Sequence, residues 1–308
     1  MSLNDQNKAP LEDGDFVLNS KYPRADILTV AAPLLFMLLH ALFLNLTAMG
    51  IVVIYTFVRG IPFSLLSSQE AIERLFLDAQ AQNWASVLLG LVMAPVYSLY
   101  LKYRSRKYPE VVLLDRAPRR YWLTAFSAIM GSLGLTMVWI SFLINLAQSN
   151  AWLRTQYETY TKAIQTLIRP DGYFWLEILA VVIMIPIAEE LLFRGILQGE
   201  IRRVAPAWIA VLLSALAFAL FHLMPFQIAF VILPGLVLAL VYELTRNLLI
   251  PIFMHMVYNF FGSGIFARLF GLPEDNMTLF LVEIIFIFIG LFMVIRLIGE
   301  YRYRRKQV

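Results

Sequence analysis

Apolar runs longer than the ~20 residues a helix needs to cross a bilayer recur along almost the whole chain. In hydrocarbon each backbone N–H and C=O must be satisfied within the protein, and a continuous apolar run of that length does so by coiling into a helix. The runs lie at Ile27 to Val58, Trp84 to Leu101, Tyr121 to Ala147, Phe174 to Arg203, Ala207 to Leu223, Phe226 to Leu244, Leu248 to Phe266 and Thr278 to Leu297. They predict an all-α fold, a polytopic transmembrane bundle of about eight spans, or seven if the two segments meeting at Met224 and Pro225 are divided differently. A hydrophobic content of 60%, against roughly 45–50% in soluble domains, puts the chain in the membrane as one unit.

Charge placement gives an independent reading of topology. With an even number of spans and the N-terminus inside, 17 lysines and arginines fall on the cytoplasmic side, most of them between Lys102 and Arg120 and from Arg302 to Lys306. Six fall outside, and Arg194 and Arg296 lie within helices. Cytoplasmic loops carry the basic excess, so both termini are expected in the cytoplasm, with the plasma membrane as location. The formal charge of +4 therefore reads as topology and not as a nucleic-acid footprint. The chain divides into a cytoplasmic tail over 1–26, N-terminal helices with an extramembrane loop over 27–170, a second helical unit over 171–297 and a basic tail over 298–308. The first apolar run is too long for a signal-peptide core and is expected to stay in the mature protein. The polar loop from Gln148 to Gly172, ended by Pro170 and Gly172, is expected to hold a short extramembrane helix.

The absence of cysteine excludes disulfides, a thiol nucleophile, cysteine-rich zinc sites and a prenylated C-terminal box on this chain. What remains for chemistry is a small set of polar residues inside apolar helices, which are costly there and point to function by default. In the fourth run Glu189, Glu190 and Arg194 interrupt an otherwise apolar helix just after Pro186. Glu190 and Arg194 are four apart and share a face, whereas Glu189 points about 100° away, so the two acids are expected to do different work. The bland account is an ion-pair network that fixes helix packing. Pro186 removes a backbone hydrogen bond, and the resulting kink or freed carbonyl is a common way to shape an intramembrane cavity.

The fifth run carries Phe218 and His222, and the seventh His255 and Asn259, four apart and on one face. A lone histidine in an apolar helix is more often a satisfied core residue than a catalyst. If the fourth and fifth helices turn near Val204 to Pro206, however, Glu189 and His222 both lie roughly 21–23 Å from the hairpin end at 1.5 Å rise per residue, hence at one depth.

Glu-Glu-x-x-x-Arg at Glu189, Glu190 and Arg194, then Phe-x-x-x-His at Phe218 and His222, then His-x-x-x-Asn at His255 and Asn259, resemble the three ordered motifs of the CAAX protease and bacteriocin-processing family, also called Abi, which includes the type II CAAX prenyl endopeptidases. The resemblance covers about residues 174 to 265. It implies an intramembrane endopeptidase acting on a membrane-associated peptide or protein, of CAAX type or a bacteriocin or signal-peptide precursor, without a cofactor. Glu189 and His222 would activate water, His255 and Asn259 would donate hydrogen bonds to the oxyanion, and Glu190 and Arg194 would hold the motif helix in place.

Three alternatives stay open. Glu189, His222 and His255 are all zinc ligands by type, and a zinc-dependent peptidase would use them so, although Asn259 suits an oxyanion donor better. A catalytically silent scaffold or immunity protein would keep the same motifs. A transporter would also hold ionisable groups at mid-membrane, but no repeat of short broken spans supports one. Elsewhere, His40 reads as a packing or interhelical hydrogen-bond residue, and Glu177, Glu243 and Glu283 as groups near span ends that meet solvent or headgroups. Gly262 to Ala267 mimics a dinucleotide fingerprint but follows a membrane helix and not a strand, so no cofactor is expected there.

Overall fold

The computed structural model describes residues 25–167, 173–273 and 276–306; the calls on the tail over 1–24, and on Pro170 and Gly172 as the end of the extramembrane loop, lie outside them. The architecture is all-α, with no strand among the described residues and one isolated bridge between Leu114 and Asn247. Its helices are α1 Ile27–Val58, α2 Gln69–Asp78, α3 Ala81–Ser105, α4 Arg119–Ser149, α5 Ala151–Leu167, α6 running without a break over 174–204, α7 Ala207–Leu220, α8 Pro225–Thr245, α9 Leu249–Gly262, α10 Ile265–Leu269 and α11 Met277–Lys306.

Five of these, α1, α3, α4, α8 and α11, are long and apolar enough to cross a bilayer. The chain is thus a multi-pass membrane-type bundle. Each of the eight predicted runs coincides with a helix, but α7 and α9 have only 14 residues each. They stop short for local reasons. At the end of α7 the chain turns through Leu223, whose φ of 62° is left-handed, before Pro225 opens α8. At the end of α8, Arg246 takes a left-handed conformation and closes the helix. In the predicted loop, Gln148 and Ser149 complete α4 and Ala151–Leu167 forms α5, whose Tyr157 and Tyr160 pack on Phe226 of α8 with ring centroids 5.1 and 5.5 Å apart.

Small residues allow the closest helix contact. A Cβ on Gly134 of α4 would come within 2.5 Å of the Glu283 carbonyl oxygen of α11, and one on Gly290 within 2.5 Å of the Ser127 carbonyl oxygen, so both positions need glycine for the backbones to meet.

One end of the bundle is tied by buried charge. Asp26 caps α1 through a reciprocal box with Thr29. Its carboxylate also takes hydrogen bonds from Arg104 of α3 and Arg203 of α6. Glu200, fully buried, bonds Arg104 at 2.5 Å and accepts from Tyr100 Oη at 2.9 Å. Tyr108 stacks beneath both guanidiniums, at 4.6 and 4.2 Å. Arg202 pairs with Glu243 at 3.0 Å and reaches the Glu110 and Val111 carbonyls. These contacts correct the expectation that Glu243 meets solvent or headgroups: it is buried because Arg202 compensates its charge. Glu283 is likewise buried, in the close α4–α11 contact. Glu177 is largely covered and bonds Arg268.

Candidate active site

The site begins with how α6 is wound. The stretches Ile178–Met184 and Leu191–Gln198 have the wide turns of a π-helix, with ordinary α geometry over Ile185–Glu190 between them. Such turns collect at functional sites. In the first stretch Ile185 N–H bonds the Ala180 carbonyl, five residues back. The next donor in that pattern would be residue 186, a proline with no N–H, which leaves the Val181 carbonyl free. Asn259 of α9 fills the gap by donating from Nδ2 to Val181 O at 2.8 Å. Of the kink or freed carbonyl expected at Pro186, the carbonyl is the one in use, and it docks the third motif against the first.

Glu190 is fully buried and receives two donors on one oxygen, Arg194 at 3.0 Å and His255 Nδ1 at 2.8 Å. Arg194, also fully buried, reaches across to the Gly235 carbonyl of α8 at 3.0 Å and lies 4.4 Å over the Phe218 ring. The predicted i,i+4 pair is therefore one link in a chain that joins α6, α7, α8 and α9. Glu189 points elsewhere. Its nearest charged partner is His255 Nε2, 3.8 Å from Oε2, and it keeps a little exposure where Glu190 has none. His255 thus stands between the two carboxylates, one ring nitrogen toward each.

His222 comes after the end of α7, and its Nδ1 lies 2.9 Å from the Phe218 carbonyl. A carbonyl only accepts, so Nδ1 carries the proton and Nε2 presents a lone pair in the neutral ring. No hydrogen bond joins His222 to Glu189. Phe218 links the second and third motifs instead, its ring meeting His222 at 5.1 Å and His255 at 5.7 Å, both edge to face. Glu189, His222 and His255 do not converge as metal ligands, and no group of three His, Asp or Glu among the described residues does so.

Two residues from outside the motifs reach the same region. His40 of α1 and Tyr97 of α3, both buried, are joined between His40 Nδ1 and Tyr97 Oη at 3.1 Å. The interhelical role predicted for His40 is therefore present. Tyr97 was missed: Ser98, Tyr100 and Tyr103 follow it in the same helix, and only its hydroxyl deeper inside the apolar run hinted at it.

Residues 171–261 match the family model described as type II CAAX prenyl endopeptidase Rce1-like. That match agrees with the resemblance read from the three motifs, all of which lie inside it. No curated protein matches the chain, and no solved structure does.

Proposed function

We propose that the chain is an intramembrane endopeptidase that hydrolyses a peptide bond of a membrane-associated CAAX-type substrate, using water activated at Glu189 and His222. At the coarser level, the Rce1-like match makes this a protease-family region. The observation that carries the finer reading is His255 held between Glu189 and Glu190 while Asn259 docks on the adjacent turn of the same helix.

The residues divide the work as follows. Glu189 takes a proton from water, assisted by the free Nε2 of His222, and the water oxygen bonds to the scissile carbonyl carbon. The carbonyl π pair moves to oxygen. Because Nδ1–H of His255 is committed to Glu190, Nε2 donates only when the ring carries both protons; the two flanking carboxylates compensate that charge. Nε2–H of His255 and the second amide hydrogen of Asn259 then meet the oxyanion. Fixed donors of this kind, in a site shielded from water, stabilise developing charge strongly. Collapse expels the amine, which takes up the proton held at Glu189. Glu190 and Arg194 hold His255 and the motif helix.

The test is cleavage of a fluorogenic farnesylated C-terminal CAAX peptide by the purified protein in liposomes, with the unprenylated peptide in parallel. Cleavage that survives dialysis against a strong zinc chelator and disappears in Glu189→Gln is the expected result. An inactive wild type on both peptides, or activity lost to the chelator and restored by stoichiometric zinc, would overturn it.

A further inference from the structure

We infer that Tyr97, with His40 behind it, is a further part of the site: a hydroxyl donor on the wall formed by α3, which holds a backbone carbonyl of the bound peptide, with His40 as the positioning residue. The inference rests on the proposed peptidase reading and extends it to helices outside the motif region.

Helix register sets the depth of both residues. α3 and α6 run in the same direction, Gly90 packing on Met184 near one end and Leu101 on Gly195 further along. Tyr97 is seven residues past Gly90, as Leu191 is past Met184, which sets it within about one turn of Glu189. α1 runs the other way, fixed by the bond from Arg203 to Thr29. His40 is eleven residues beyond Thr29 and Leu192 eleven before Arg203, so His40 lies at the same level. The Glu189 carboxylate acts electrostatically on both groups.

The pair is also joined to the motifs laterally. His40 meets Phe221 edge to face at 5.4 Å, Phe221 meets Phe193 at 5.4 Å, and Phe193 meets Phe218 at 5.2 Å. Phe218 touches both catalytic histidines, so one aromatic wall runs from His40 to His222 and His255.

The chemistry follows from donor counting. A phenol has one proton and accepts two hydrogen bonds. When His40 Nδ1–H donates to Tyr97 Oη, the tyrosine proton is free to point at a ligand; a peptide held beside Glu189 offers carbonyls and few other acceptors. Their mutual hydrogen bond offsets the cost of burying both in apolar helices and leaves one phenol proton over. A pair serving only to fasten α1 to α3 would gain little from a position level with the catalytic glutamate.

The experiment measures KM and kcat for the farnesylated peptide, Kd for the same peptide in the Glu189→Gln background, and Tm for each variant. Tyr97→Phe removes one hydroxyl and keeps the ring packing. It is expected to raise KM and Kd about three- to tenfold, the range of one net hydrogen bond, with kcat little changed and some fall in Tm because His40 Nδ1 loses its partner. His40→Leu should raise KM in the same way, His40→Gln should restore it, and Tyr97→Phe with His40→Leu should cost no more than Tyr97→Phe alone. A KM unchanged by Tyr97→Phe, or a fall in Tm alone, would assign the pair to packing and overturn the inference. Should Tyr97→Phe not fold, His40→Gln against His40→Leu decides: a KM raised only by His40→Leu supports the pair, and equal values overturn it. Retained turnover in Glu189→Gln would sink the proposed base, a separate outcome, since the Tyr97 effect on Kd is read without turnover.

Discussion

His255 Nδ1 lies 2.8 Å from Oε1 of Glu190, the carboxylate that Arg194 also holds. The third motif is thereby fastened to the fully buried acid of the first. The adjacent Glu189 keeps a little exposure, 3.8 Å from the other ring nitrogen of His255.

Glu189→Gln is expected to keep yield and Tm while lowering turnover by at least about 10²- to 10⁴-fold, the usual loss of a general base. Glu190→Gln is expected to lower Tm together with activity, because it strands Arg194 as a buried charge and releases His255; breaking such a pair costs on the order of 3–5 kcal/mol. Combining Glu190→Gln with Arg194→Met should recover part of the stability but not the activity, since His255 still lacks its anchor. Purified yield, thermal melting and peptide cleavage measured in parallel check this. A folded, inactive Glu190→Gln beside an active Glu189→Gln would reverse the assignment.

Asn259→Ala should be visible in two measurements. The Val181 carbonyl loses its donor, a loss of about 1–3 kcal/mol for a buried unsatisfied group. Removal of an oxyanion donor should also lower kcat by about 10²–10³-fold. A normal kcat at reduced Tm would leave Asn259 as a cap for the proline-freed carbonyl and nothing more.

The motifs were legible because each is a short-range pattern: four-residue spacings on helices declare a shared face without knowledge of the fold. The spans were legible from hydropathy. Asp26, Arg104, Glu200 and Arg203 were not read as one cluster, because they meet across separations of 78 to 177 residues. Each alone looks like an ordinary charge near a span end. His40 and Tyr97 met the same obstacle, since nothing in α1 or α3 states which of their faces turns toward α6. The wide turns of α6 leave no trace in composition beyond Pro186.

Acid should loosen the tied end of the bundle. The Arg104 hydrogen bond, helped by Thr29, holds the Asp26 carboxyl well below its ordinary value of 3.8. A depressed folded-state value gives stability that is present above the unfolded value and lost as pH falls through the folded one. Tm should therefore be level above about pH 5 and decline below the ordinary carboxylate range, whereas Asp26→Asn should start lower and respond less. Parallel melting curves from pH 7 to pH 2 check the difference; identical slopes would dismiss Asp26 as a contributor.

The segment after α3, the α8–α9 turn and the end of α11 all meet at one end, through Arg246 to Asp115 at 2.8 Å and Arg304 to the Leu244 carbonyl at 2.9 Å. That end carries the basic excess and is expected in the cytoplasm. The chain has no cysteine, so single cysteines introduced at Arg106 and Lys306 give a clean labelling assay. Both should react only from the cytoplasmic side, and labelling of both from outside alone would invert the topology.

The wide turns over Ile178–Met184 put slack into the helix upstream of Pro186, as those over Leu191–Gln198 do beyond the glutamates. A wide turn holds about one residue more than a regular turn over the same rise. Deleting one residue there would tighten the coil to ordinary winding and leave the facing of Glu189 unchanged. The same deletion within Ile185–Glu190 would swing every later side chain by about 100° and part Arg194 from Gly235. Length variation in the motif helix is thus permitted upstream of Pro186 and forbidden beside the glutamates. A one-residue ruler along this helix would separate the turns that hold tension from those that hold chemistry.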